Sequence, residues 1–272
     1  NKMNGYRIQG ITPEGYANLL LQEMGMALIP PIDPYYICTM QHIQIAYEPL
    51  DHADAALLRI GSSAEIMLNS NNQYRSRDRF SVAHELGHYY LPGHSDMEYY
   101  CTIKEILQYR SSNKKEHEAN QFAAELLMPT LWLKNRIKAS DISLSLIKKI
   151  AEECHTSLTA TAIKIIKICR DRVGIAYSEN GIIKWTAKSK SFSYELREGQ
   201  VDERSRVKEF FQTGNFSEEP MQVPLFIWTS SPGLHEFLIE ESISMPYLGA
   251  VLTVLTVPVD EDDDAWLDED SW

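Results

Sequence analysis

The stretch Arg79-Phe80-Ser81-Val82-Ala83-His84-Glu85-Leu86-Gly87-His88 sets two histidines four residues apart in a segment of helical character. The helix is predicted from about Arg75 to Leu91, where Pro92-Gly93 stops it. Histidines at i and i+4 lie one above the other on a single helix face, so both imidazoles can reach one ion. Glu85 then stands beside that ion, placed to take a proton from bound water rather than to ligate. Zinc lowers the pKa of such a water towards neutrality, which makes it a nucleophile for a carbonyl carbon. Leu86 is predicted to face the core, and Gly87 to let another element approach closely.

A catalytic zinc takes three protein ligands and keeps one position open. Two residues compete for the third place. His94 lies six residues after His88, the spacing of H-E-x-x-H-x-x-G-x-x-H, but that pattern needs glycine at position 91 and this chain has Leu91-Pro92. The rival is Glu116, in Glu116-His117-Glu118-Ala119-Asn120-Gln121-Phe122-Ala123. Ala119, Phe122, Ala123, Leu126 and Leu127 mark one inward helix face at a period of 3.6. At roughly 100° per residue, Glu116 falls about 50° from the centre of that face, whereas Glu118 falls opposite and is predicted exposed. An acid beside a buried face needs a partner, and a cation supplies one. Asn120 is placed to hydrogen-bond a ligating histidine.

With Glu116-x-x-Ala119-Asn120-x-Phe122-Ala123-Ala124-Glu125-Leu126-Leu127-Met128-Pro129 following the histidine motif, the chain resembles the ImmA/IrrE family of metallopeptidases. The resemblance covers residues 36–130 well and the helices to about 172 loosely. It implies a compact zincin of the gluzincin type, with His84, His88 and Glu116 as zinc ligands and Glu85 as general base. It also implies a role: such proteins cleave or otherwise inactivate helix-turn-helix repressors, releasing genes for stress response or mobile-element control.

The rest of the chain reads as α+β. A small zincin-like domain (short sheet plus active-site helices) is expected over 1–130, with a helix at 12–25 and strands at 36–47, 55–60 and 65–68. A helical hairpin is expected over 131–172, a C-terminal mixed α/β domain over 173–259 and an acidic tail over 260–272. Within the C-terminal part, strands are expected near 174–177, 182–185, 225–228 and 250–257, and a helix near 205–211. The hairpin, 144–153 and 158–170, has the outline of a helix-turn-helix, with Lys164, Lys167 and Arg170 as a basic edge. Its isoleucines leave little surface for reading bases, so direct nucleic-acid binding stays open.

The 272 residues carry a net charge of −12. Eight of the acidic residues lie in the last thirteen, and without them the body is near −4, which argues for no particular partner. Cys38, Cys101, Cys154 and Cys169 form no CxxC pair, the usage of reduced thiols in the cytoplasm. No apolar run reaches the ~20 residues that span a bilayer. Arg75, Arg77 and Arg79 could grip a substrate backbone, and Tyr89, Tyr90 or His94 could stabilise an oxyanion.

Two functions follow from this. The first is a zinc endopeptidase, with manganese as a possible alternative metal, acting on a protein substrate of the repressor type. The second is a zinc-containing regulatory protein that inactivates a repressor or toxin partner by binding alone.

Overall fold

The computed structural model describes residues 10–51, 53–60, 63–71, 77–94, 99–101, 114–138, 141–215, 217–230 and 236–258. The expected acidic tail and Arg75 lie outside these residues. The chain divides into two compact units, Asn1–Asn135 with Ile150–Thr161, and Arg136–Lys149 with Ala162–Trp272.

The first unit opens with α1 (Pro13–Glu23), whose N-cap Thr12 accepts a hydrogen bond from the Gly15 backbone N–H at 3.2 Å. The next element differs from the sequence expectation of a strand beginning at residue 36. Pro34–Met40 is a helix, α2, and the strand β1 is confined to Ile43–Glu48. The aromatic and β-branched residues of α2 suggested a strand. Asp33 overrides them by capping the Tyr35 N–H at 3.1 Å, with Pro34 fixing the first helical φ.

β2 (Ala55–Ile60), β3 (Ser63–Asn69) and β4 (Tyr99–Cys101) complete a sheet of order β1-β3-β2-β4. β1 and β3 run parallel, with Ile45 beside Ile66, and the other pairs are antiparallel. Along β3 Ala64, Ile66 and Leu68 are buried in alternation, the period of a strand with one covered face. Asn69 closes the connection from β1 to β2. Its side-chain amide donates to the carbonyls of Leu50 and Ala53, each at 2.7 Å, and accepts from the Leu50 N–H at 3.3 Å.

Against β2 and β3 lies α3 (Asp78–Tyr90), and against α3 lies α4 (Lys114–Leu127), which also packs on α1. Arg59 of β2 donates to the carbonyls of His88 and Tyr89, placing a cation at the C-terminal end of α3. Arg79 donates to the Ile32 carbonyl at 2.6 Å and pairs with Asp33 at 3.5 Å, so it fastens the segment before α2. Glu125, buried in α4, accepts from the Thr130 N–H at 3.0 Å and from Asn18 Nδ2 of α1 at 3.1 Å. It thereby caps α5 (Thr130–Ile137). α6 (Leu144–Cys154) and α7 (Leu158–Ile168) form the expected pair of helices, but Lys164 is buried, so only Lys167 and Arg170 of the basic edge are exposed.

The second unit holds a six-stranded sheet made from β5 (Val173–Glu179), β6 (Ile182–Lys188), β7 (Gly199–Gln200), β8 (Met221–Pro224), β9 (Phe237–Met245) and β10 (Ala250–Thr256). Its order is β7-β6-β5-β10-β9-β8, antiparallel throughout, joined by α8 (Arg206–Thr213). Residues 225–228, expected as a strand, instead contain a 3-10 turn at Leu225–Ile227, because Pro224 ends β8 without an N–H to continue the ladder. β9 was not foreseen. Two adjacent glutamates lie at its centre: Glu240 accepts from Trp228 Nε1 at 2.7 Å and Ser205 Oγ at 3.2 Å, and Glu241 accepts from the Leu144 N–H at 3.2 Å. Among the described residues no helix is long and apolar enough to cross a membrane.

α3 and α4 approach each other closely at Gly87. A Cβ there would sit 3.1 Å from Ala119 Cα, 3.2 Å from Ala119 O and 3.3 Å from Phe122 Cβ. Backbone atoms of α4 cannot swing away as a flexible side chain would. Gly87→Val is therefore expected to lower the unfolding free energy by ~1–3 kcal/mol, read as a lower urea midpoint in circular dichroism.

Candidate metal centre

α3 brings His84, Glu85 and His88 to one buried place, all three fully excluded from solvent. One helical turn separates the histidines, and their Nε2 atoms converge to 3.0 Å. α4 adds Glu116 from its first turn, 4% exposed. Its carboxylate lies 3.1 Å from His84 Nε2 and 3.4 Å from His88 Nε2. These are the His84, His88 and Glu116 atoms that, among the described residues, form a group able to hold a metal ion.

The donor chemistry fits a cation. Asn120 Oδ1 lies 2.9 Å from His84 Nδ1. With the amide oxygen accepting, Nδ1 carries the proton and Nε2 is left with a lone pair. Two imidazole nitrogens and a carboxylate thus converge in a buried space. Tetrahedral ligands at zinc's ~2.0–2.1 Å bond length stand roughly 3.3 Å apart, close to the separations found here.

Electrostatics push the two imidazoles in opposite directions. Burial pushes His84 towards the neutral form, but the Glu116 hydrogen bond and the Glu85 and Glu116 charges outweigh it and hold its pKa above the usual value. Burial dominates at His88 and, aided by the neighbouring histidines, lowers it to about 4 despite Glu116. Glu116 would be raised by burial, yet the two imidazoles hold it well below the usual carboxylate range. The site therefore keeps an anion and at least one bare nitrogen at neutral pH.

Other expected site residues fall elsewhere. His94 is buried on the far side of the His88 ring, its Nδ1 3.0 Å from His88 Nδ1 and its Nε2 3.0 Å from Glu118 Oε2. Glu118, expected exposed, has a side chain only 28% exposed because of this bond. No spacing in the sequence signals that pair. Tyr90 stacks on Phe122 at 6.3 Å between ring centroids, and burial raises its pKa. Tyr89 lies under the Arg59 guanidinium at 4.3 Å.

Residues 38–165 match the IrrE N-terminal-like domain. Over 94 residues the chain is 30% identical to Metallopeptidase ImmA of Bacillus subtilis (strain 168). Residues 38–165 belong to the ImmA/IrrE family. The alignment with ImmA covers 35% of this chain and 53% of ImmA, so it spans about half the length of that relative. In fold the chain is similar to a Mycobacterium tuberculosis transcriptional regulator, with a TM-score of 0.55 and 13% identity over 100% of this chain and 94% of that one. The ImmA/IrrE match contains all of α3 and α4, and with them every residue of the candidate centre.

Metal binding requires His84 as a neutral ligand, and its raised pKa means that protons compete with the ion from above the ordinary histidine range downwards. Zinc at a hundredfold its dissociation constant is expected to stabilise the fold by ~2.7 kcal/mol. Thermal melts with zinc and with chelator at pH 8 and pH 6 check this. The gain should shrink at the lower pH and vanish in Glu116→Ala.

Proposed function

We propose that this chain is a zinc-dependent endopeptidase whose substrate is a helix-turn-helix repressor or a similar DNA-binding protein. The observation that carries the reading is the buried His84, His88 and Glu116 trio with Glu85 next to His84 on α3. Two imidazoles and one carboxylate at these separations suit zinc better than manganese, which favours more oxygen ligands in an octahedral set. The choice of a repressor as substrate follows from the family resemblance.

In this reading His84, His88 and Glu116 would hold the ion. When bound, the cation supplies Lewis acidity for both water and the scissile carbonyl. Asn120 keeps His84 in the tautomer that ligates. Glu85 takes the proton released as water attacks the carbonyl carbon. Its carboxyl then gives that proton to the amide nitrogen as the peptide bond breaks.

Glu85→Gln keeps the shape of the side chain and removes the base. Zinc content and melting temperature should stay at wild-type levels, while cleavage of a co-expressed helix-turn-helix repressor falls by ~10²–10⁴-fold. Mass spectrometry of the products reads the cleavage. If the variant cleaved as fast as wild type, the mechanism would be wrong. Repressor inactivation that persists in Glu85→Gln without any cleavage would mean that binding alone is the function.

A further inference from the structure

We propose that Glu118 and His94 are positioning residues that fix the tautomer of His88, a role that rests on the metal-site reading above. The three side chains form a line. Glu118 Oε2 lies 3.0 Å from His94 Nε2, and His94 Nδ1 lies 3.0 Å from His88 Nδ1. The two histidine rings are 5.1 Å apart between centroids. His94 is 1% exposed, and Glu118 is itself held by Lys114 at 3.5 Å, one turn earlier on α4.

Hydrogen-bond direction runs through this line from its outer end. A carboxylate can only accept, so Glu118 requires the proton on His94 Nε2. A neutral His94 then has its lone pair on Nδ1. The atom facing it, His88 Nδ1, must therefore be the donor. His88 is left with a bare Nε2, the atom that lies 3.4 Å from Glu116 Oε1 and 3.0 Å from His84 Nε2.

The alternative arrangement shows why Glu118 matters. Without an acceptor at its Nε2, His94 can carry its proton on Nδ1 and donate to His88 Nδ1. His88 would then hold its own proton on Nε2, aimed at the ion's position. The two histidines are coupled, so one proton placement permits ligation and the other blocks it. His84 has a separate and shorter device, the Asn120 amide. His94 thus acts on the metal site through His88 and does not ligate, although its spacing in sequence is that of a third ligand.

The test uses the full chain, labelled with ¹⁵N at histidine, with Glu118→Ala and the equal-volume Glu118→Gln. Long-range ¹H–¹⁵N spectra of the metal-free protein report the tautomer of each ring, and competition with a chromophoric chelator reports zinc affinity. Wild type should show His88 protonated on Nδ1. Both variants should show mixed tautomers at His88, an unchanged His84, and zinc binding weaker by ~10–100-fold. A role in packing alone would spare Glu118→Gln and move no tautomer. His88 protonated on Nε2 in wild type, or a wild-type tautomer and affinity in both variants, would overturn the relay. Failure of the metal reading has a different signature, wild-type protein that takes up no zinc, and the metal-free spectra decide the relay regardless.

Discussion

The site depends on how closely two helices cross. α3 carries two histidines and the proposed base, but two imidazoles do not make a catalytic metal site. The third donor comes from α4, and it can arrive only because position 87 has no side chain: Ala119 backbone atoms occupy the space a Cβ would need. Glu116 lies three residues before Ala119, close enough along α4 for its carboxylate to reach between the two Nε2 atoms. A glycine inside a helix costs roughly 1 kcal/mol relative to alanine. Here that loss is offset by a contact between helices that no other residue permits.

That crossing gathers groups that do not favour one another in the absence of an ion. Two buried carboxylates, Glu85 and Glu116, act on His84, and the two histidines have pKa values pushed in opposite directions. Burying charge in this way destabilises a fold unless a counter-charge is present. The surrounding structure carries the difference. Asn69 stitches the loop between β1 and β2, Arg59 caps the end of α3, and Glu125 joins α1, α4 and the start of α5. None of these touches the metal position; Arg59 and Glu125 hold the two helices that form it.

What the sequence revealed follows from range. The helix at α3 and the ligand spacing were legible because both are set within five residues. Glu116 was legible because amphipathic periodicity fixes which side of α4 it faces. Elements governed by distant partners were not. α2 was hidden because the aromatic and β-branched residues of Tyr35–Cys38 outweighed the cap by Asp33 in a reading by composition. β9 was hidden because Glu240 and Glu241 look solvent-facing, whereas Trp228, Ser205 and the Leu144 N–H satisfy them from elsewhere in the second unit. Glu118 was misjudged for the same reason: periodicity turns it away from the core, and only the fold brings His94 to it.

The placement of Glu118 changes how α4 should be regarded. Its first two turns bring Glu116 to the proposed metal position, Asn120 to the outer nitrogen of His84, and Glu118 to the outer nitrogen of His94. Ligand and support for both histidines therefore sit at alternate positions of one short segment. Support from three separate loops could be lost piecemeal, but here a shift of α4 along α3 by even ~1.5 Å, one residue's rise, would displace all three groups together. The histidines would keep their spacing on α3 and lose both the third ligand and the hydrogen bonds that set their tautomers. In the proposed reading, metal affinity is consequently a property of the α3–α4 packing as a whole.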